Sequence, residues 1–86
     1  MNILVSNLSD SIIKSDLEQM FSVYGKVSYA VIVRDKKSGR SKGTAFLEMP
    51  NEAEGEQAIL ALNQNVLDGK QIIVQEIEYK PGEFNN

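Results

Sequence analysis

Five basic side chains gathered in one short segment define the charge pattern of this chain. Residues 34–43 hold five Lys or Arg and a single acid, Asp35, for a local charge of +4, whereas the rest of the chain holds four basic and eleven acidic residues, or −7. A cationic segment in an otherwise acidic protein can neutralise phosphates, while the acidic remainder limits non-specific adsorption. A solvated loop that happens to collect lysines has the same composition, so both interpretations stay open at this point.

Catalytic chemistry has little support in the residue types. The chain contains no Cys and no His, which excludes thiolate metal sites and removes most routes to zinc binding and to acid–base catalysis near neutral pH. Residues 39–43 (Gly-Arg-Ser-Lys-Gly) superficially suggest a phosphate loop, but a strand follows them, not the helix N-terminus that binds phosphate in such loops. We therefore expect neither an enzyme nor a cofactor or metal site.

Length and hydropathy indicate one domain inside the cell. Eighty-six residues with a hydrophobic fraction of 42% can form one core. No stretch approaches the ~20 apolar residues of a membrane span, and the N-terminus enters an apolar run with no basic lead, so we expect no signal peptide and no membrane partner. The sequence predicts a cytoplasmic protein with a domain over residues 1–78 and a short tail over 79–86.

Hydrophobic periodicity changes repeatedly along the chain and predicts four strands and two helices. Apolar residues at three- and four-residue intervals indicate a first helix from Lys14, with Gly25 as its C-cap, and a second helix that begins at Pro50 or Asn51 with Ala53 on its inner side. Asp68 and Gly69 predict a turn before the last strand. The predicted strands are residues 2–7, 27–34, 43–49 and 71–77. This βαββαβ order is the ferredoxin-like α+β plan, a four-stranded antiparallel sheet with both helices on one face.

Two segments carry a family resemblance. Residues 3–8 read Ile-Leu-Val-Ser-Asn-Leu, and residues 42–49 read Lys-Gly-Thr-Ala-Phe-Leu-Glu-Met. They resemble the hexapeptide and octapeptide strand motifs of the RNA-recognition motif family. Two of the three motif positions that are aromatic in the family hold Leu4 and Thr44 here, and Phe46 is the third. Within this family, the chain resembles the small, single-domain RNA-binding proteins of bacterial type. Asn7 matches the motif's Asn, and we expect its side chain to cap the turn after the first strand.

The resemblance implies that single-stranded RNA binds the open face of the sheet. Bases would stack on Phe46, Lys42 would contact a phosphate, and Tyr29 would offer a second ring from the neighbouring strand. Alternation along the strands, with the second strand placed by the family pattern, puts Val31 and Val33 on the same open face. The expected RNA-binding residues are Leu4, Ser6, Tyr29, Lys36, Lys37, Arg40, Lys42, Thr44, Phe46, Ile73 and Gln75. Because each stacked base contributes ~1–3 kcal/mol, the loss of two aromatic positions predicts weak, sequence-tolerant binding.

The same open face suits a second kind of partner. An exposed apolar patch marks a binding site of some kind, and its aliphatic members would suit a protein surface as well as bases. A protein-interaction domain on this scaffold, a homodimer formed through the sheet face, and coverage of the face by the tail residues Tyr79 and Phe84 are the alternatives. The basic segment favours nucleic acid over these, either RNA or single-stranded DNA.

Overall fold

Two helices pack on one side of a four-stranded sheet, as the periodicity predicts. The computed structural model describes residues 1–78, and the predicted tail with Tyr79 and Phe84 lies outside the described residues. The elements, in chain order, are β1 (Asn2–Ser6), α1 (Lys14–Ser22), β2 (Tyr29–Arg34), β3 (Ser41–Glu48), α2 (Glu52–Leu62), β4 (Val66–Leu67), β5 (Lys70–Gln71) and β6 (Ile73–Ile77). The large sheet has the order β2-β3-β1-β6 with antiparallel pairs throughout, so the ferredoxin-like prediction is confirmed.

The core lies between the sheet and the helices and is entirely apolar among the described residues. It takes alternate positions of each strand, such as Ile3, Leu47 and Val74, together with Leu17 and Phe21 of α1. These side chains are at most 2% exposed, so the helices cover the centre of this side of the sheet. Since successive side chains of a strand point to opposite faces, the residues between them are left on the open side. Neither helix within residues 1–78 is long and apolar enough to cross a membrane.

The helix ends differ in part from the sequence prediction. Asn51 is the N-cap of α2, as one of the two predicted starts, and its side chain accepts a hydrogen bond from the Glu54 N–H at 3.0 Å. Gly25 is not the C-cap of α1, because the helix ends at Ser22 and Val23 caps it. A Cβ at Gly25 would collide with the Glu54 side chain, so the glycine instead leaves room for α2.

The inner side of α2 also needs one correction. The buried residues are Gly55, Ala58 and Leu62, and Ile59 is half-buried beside them, but Ala53 is exposed. The reason is angular: a helix turns by 100° per residue, so a side chain two positions before Gly55 points to the opposite side. Ala53 is apolar like the inner residues, but its position around the helix axis places it on the other side.

A small hairpin interrupts the last predicted strand. Val66 pairs with Gln71 and Leu67 with Lys70, and the turn between them has positive φ at both Asp68 (51°) and Gly69 (80°). Such a turn matches the twist of a two-residue hairpin, and Asp-Gly is a favoured sequence for it. The predicted turn is therefore confirmed, but the strand beginning at residue 71 is wrong: β5 belongs to the hairpin, and β6 joins the sheet only from Ile73.

Candidate nucleic-acid interface

The centre of the open face is a straight row of side chains across all four strands. In register, Val31 of β2 lies opposite Phe46 of β3, Phe46 opposite Leu4 of β1, and Leu4 opposite Gln75 of β6. Phe46, Leu4 and Val31 are half-buried by one another and by their neighbours, with no helix above them. The centre of the face thus presents one aromatic ring flanked by two aliphatic side chains, an apolar surface on which a planar group can stack.

A second row crosses the same face of the sheet, two residues away from the first row on every strand. Tyr29 of β2 lies opposite Glu48 of β3, Glu48 opposite Asn2 of β1, and Asn2 opposite Ile77 of β6. Together with Ser28 and the neighbouring Val31, Phe46 and Leu47, these residues line a depression of about 690 Å³. Tyr29 is 56% exposed, which leaves its ring accessible at the rim. The depression therefore combines apolar walls with a carboxylate, an amide and a hydroxyl.

The Glu48 carboxylate is held in place within this second row. The Ser28 hydroxyl donates a hydrogen bond to Glu48 Oε1 at 2.6 Å, and the Ser28 N–H donates to the Glu48 backbone carbonyl at 2.9 Å. Ser28 immediately precedes β2, which begins at Tyr29 and not at the predicted residue 27. Ser28 therefore fixes one oxygen of a carboxylate that otherwise faces solvent.

The other end of the face is polar and carries two lysines. A second depression, of about 610 Å³, lies between the end of β1 and the start of β3, and Lys42 and Lys70 both line it. Asn7, directly after β1, links this end of the face to β5, because its side-chain amide donates to the Gln71 carbonyl at 2.7 Å. The expectation that Asn7 caps the local turn is wrong: its φ of 60° turns the chain, and its side chain reaches the hairpin region instead.

Gly43 shows why the octapeptide motif has a glycine at its second position. Its φ is +76°, its carbonyl accepts a hydrogen bond from the Leu8 N–H at 3.0 Å, and a Cβ would lie 3.0 Å from the Leu8 carbonyl oxygen. Both the positive φ and the close approach of the segment after β1 disfavour a side chain at this position. This contact holds Lys42 and Thr44, on either side of the glycine, at the edge of the open face.

The basic segment forms an ordered loop between β2 and β3. Asp35 accepts hydrogen bonds from the backbone N–H groups of Ser38 and Lys37, each at 2.9 Å, and these bonds hold the pKa of its carboxyl below the ordinary value of 3.8. Arg34 donates to the Gly39 carbonyl at 3.2 Å and so takes part in the loop itself. The exposed cations of the loop are Lys36, Lys37 and Arg40.

The structure brings together most of the residues that the sequence assigns to the face. Leu4, Ser6, Tyr29, Thr44, Phe46, Ile73 and Gln75 all lie on the open side of the sheet, and Ile73 is 48% exposed. Lys42 lies at its polar end, and the loop with Lys36, Lys37 and Arg40 extends from the β2–β3 edge. Several residues that line the two depressions are absent from the predicted set, among them Asn2, Ser28, Glu48, Ile77 and Lys70. Strand alternation could have found Asn2. Ser28 lies within the predicted second strand but directly before the observed β2, and Lys70 lies outside the predicted strands.

Comparison with known proteins identifies the family. Residues 3–73 match the family model of the RNA recognition motif. This match covers most of the chain, so the chain belongs to the RNA recognition motif family.

Curated relatives are similar over nearly the whole chain. The chloroplastic 28 kDa ribonucleoprotein of Spinacia oleracea is 42% identical over 79 residues, which are 92% of this chain and 34% of that protein. Glycine-rich RNA-binding protein 1 of Mycosarcoma maydis is 35% identical over 92% of this chain and 45% of its own length. The chain thus spans between a third and a half of these relatives. They come from a plant and a fungus, so the expected bacterial type is not borne out.

Solved structures share the fold closely. A crystal structure of RNA Binding Protein PG1 superimposes with a TM-score of 0.90 at 36% identity, covering 94% of this chain and 98% of that one. One chain of an Sxl-lethal protein/RNA complex superimposes with a TM-score of 0.81 at 34% identity, covering 86% of this chain and 46% of the other.

Proposed function

We propose that this chain binds single-stranded RNA on the open face of its sheet, and that it does so without catalysis. The observation that carries the proposal is the central row, in which the half-buried Phe46 lies on the open face between Leu4 and Val31 and can stack on a base. Family membership supports it, as do the relatives named as ribonucleoproteins and RNA-binding proteins. Residues 1–78 are proposed as the binding unit.

Phosphate contacts would come from cations at two edges of the face. Lys42 lies at the polar end near Thr44, and the exposed Lys36, Lys37 and Arg40 lie on the β2–β3 loop. In single-stranded recognition, cations hold the backbone while the bases lie on the sheet. The chain's net charge of −3 gives little long-range attraction, so these local contacts carry the electrostatic part of binding.

The affinity is proposed to be low. Leu4 and Thr44 occupy positions where the family's motifs have aromatic residues, and the two lost stacking contacts cost ~2–6 kcal/mol at ~1–3 kcal/mol per base. Leu4 still covers the apolar face of a base, which favours the lower figure. Weak binding by one copy becomes useful when several copies or further domains bind the same strand.

An NMR titration with short RNA and DNA oligonucleotides of the same sequence tests the proposal. RNA should shift the amide signals of Leu4, Thr44, Phe46 and residues 35–42 and leave Gln57, exposed on α2, unchanged. Shifts confined to the helical side would contradict both the orientation of the face and the RNA model. Equal shifts with DNA would extend the ligand to single strands of either kind.

A protein partner is the second candidate, favoured by the 48% exposure of Ile73 on an apolar face. Sedimentation at micromolar and higher concentrations tests a sheet-face homodimer. Ile73→Asp should convert such a dimer to a monomer, because it places a charge in a desolvated contact. A stable dimer that Ile73→Asp dissociates would move the main function from RNA binding to protein interaction. The cytoplasmic location stays a prediction, since the Spinacia oleracea relative is named chloroplastic.

A further inference from the structure

The depression in the second row differs chemically from the rest of the open face. Its walls are the apolar side chains of Val31, Phe46 and Ile77 and the ring of Tyr29, and Glu48 places a carboxylate between them. Its volume of about 690 Å³ is that of a small-molecule site, since such sites typically measure ~300–1,000 Å³. Apolar walls around a few polar groups are the arrangement that binds and orients a flat heterocycle.

The carboxylate in this depression is an oriented acceptor. The Ser28 hydroxyl donates to Glu48 Oε1 at 2.6 Å and uses one acceptor position. An ionised carboxylate offers about four such positions and no donor, so further donors can bind it side by side. Asn2 lies directly opposite Glu48 in the β1–β3 register, on the same face. Its amide adds a donor next to the carboxylate.

The four RNA bases differ in how they match this pair of groups. The Watson–Crick edge of guanine presents the O6 acceptor followed by the N1–H and N2–H donors, and the two donors point the same way toward a carboxylate. Cytosine and adenine present one amino group beside an acceptor nitrogen, and uracil presents one N–H between two carbonyls. Each of those three bases would place a lone pair against a carboxylate oxygen.

We propose that the depression selects a guanine base of single-stranded RNA. Glu48 accepts from guanine N1–H and N2–H, Asn2 donates to O6, and the Tyr29 or Phe46 ring stacks on the base. Ser28 acts as a positioning residue by holding the carboxylate. The proposal rests on the proposed RNA-binding function and adds a base preference at one nucleotide, while the remainder of the face stays sequence-tolerant.

The test compares four RNA oligonucleotides of roughly eight nucleotides, long enough for the few bases that an open sheet holds. One is all uridine, and the others carry a single central G, A or C. A bidentate contact to a base edge discriminates by about tenfold or more, so the G oligonucleotide should bind about tenfold more tightly than all three others. Glu48→Gln should abolish most of this ratio and leave affinity for oligouridine the same or slightly higher, because a negative charge is removed.

Two further variants separate the mechanism from a general charge effect. Glu76→Gln makes the same chemical change on the same sheet, but Glu76 pairs with the inward-facing Ile3 and so lies on the other side. It should leave the G-to-U affinity ratio unchanged. Ser28→Ala should lower the ratio by an intermediate factor, because the carboxylate is kept and only its orientation is lost.

The outcomes distinguish this inference from the proposed function. No binding to any oligonucleotide would refute the function itself, whereas equal binding to all four would refute only the guanine site. A G preference that survives Glu48→Gln, or that Glu76→Gln lowers equally, would overturn the assignment to Glu48. Concentration-dependent shifts of the Ser28 and Tyr29 amides without RNA would assign the depression to a second copy of the chain and overturn it too.

Discussion

Replacement of Phe46 by alanine gives the sharpest test of the open face. Phe46 is the one aromatic residue left in the two strand motifs, and it lies in register between Val31 and Leu4. Loss of one stacked base costs ~1–3 kcal/mol, so the dissociation constant for single-stranded RNA should rise roughly 5- to 150-fold. Fluorescence anisotropy with a labelled oligonucleotide measures this change directly.

The same substitution should affect folding far less than a core substitution does. Phe46 has cross-strand neighbours on both sides, and each such pair contributes roughly 0.2–1 kcal/mol, so the free energy of unfolding should fall by about 2 kcal/mol at most. At roughly 4–8 °C per kcal/mol for a domain of this size, Tm should drop by no more than about 16 °C. Phe21→Ala is the yardstick: this ring is fully buried, and its loss should cost ~3–5 kcal/mol.

Two control variants make the interpretation specific. Phe46→Leu keeps an apolar side chain but removes the ring, so it should weaken RNA binding by less than Phe46→Ala while unfolding at nearly the wild-type temperature. Leu60→Ala truncates an 84% exposed residue of α2 on the opposite side of the protein, and it should change neither property. Unaltered affinity for Phe46→Ala together with a collapse of Tm would show that Phe46 is a packing residue and refute the stacking role.

Three further predictions concern the segment around β3. Gly43→Ala should lower the free energy of unfolding by about 1–3 kcal/mol in chemical denaturation, because alanine must adopt a positive φ and approach the Leu8 carbonyl; an unchanged midpoint would contradict this close contact. Lys36→Gln combined with Lys37→Gln should reduce the slope of log affinity against log salt by about 1.4, at ~0.7 per phosphate contact on a single strand, whereas Lys14→Gln on the helical side should leave it unchanged. The pKa of the Asp35 carboxyl, measured by carboxyl-detected NMR, should lie below 3.8, because its hydrogen bonds favour the ionised form. These bonds therefore stabilise the loop above the ordinary pKa, and their contribution is lost as the pH falls through the lowered value. A titration midpoint at or above 3.8 would refute the assigned bonds.

The open face shows how far the sequence alone determines the candidate site. Alternation along a strand assigns Leu4, Phe46 and Ile73 to the side away from the core, and the structure confirms each, because a strand has only two sides and the core requires one of them. The order of helices and strands is equally local, since it follows from the spacing of apolar residues. The prediction that Ala53 of α2 faces inward is wrong, because it rests on residue type, whereas the rotation of 100° per residue decides which side chains of a helix face the sheet.

Only the tertiary structure decides which residues lie side by side across the sheet. Ser28 and Glu48 are twenty positions apart and Asn7 and Gln71 sixty-four, and no periodicity within a segment relates such pairs. Their contact depends on strand register, which is set by the packing of the whole core and by the turns between strands. The sequence alone therefore predicts only a basic loop and an aromatic residue on the open face. The depression around Glu48 and the depression that Lys42 and Lys70 both line exist only once four strands and a hairpin have paired.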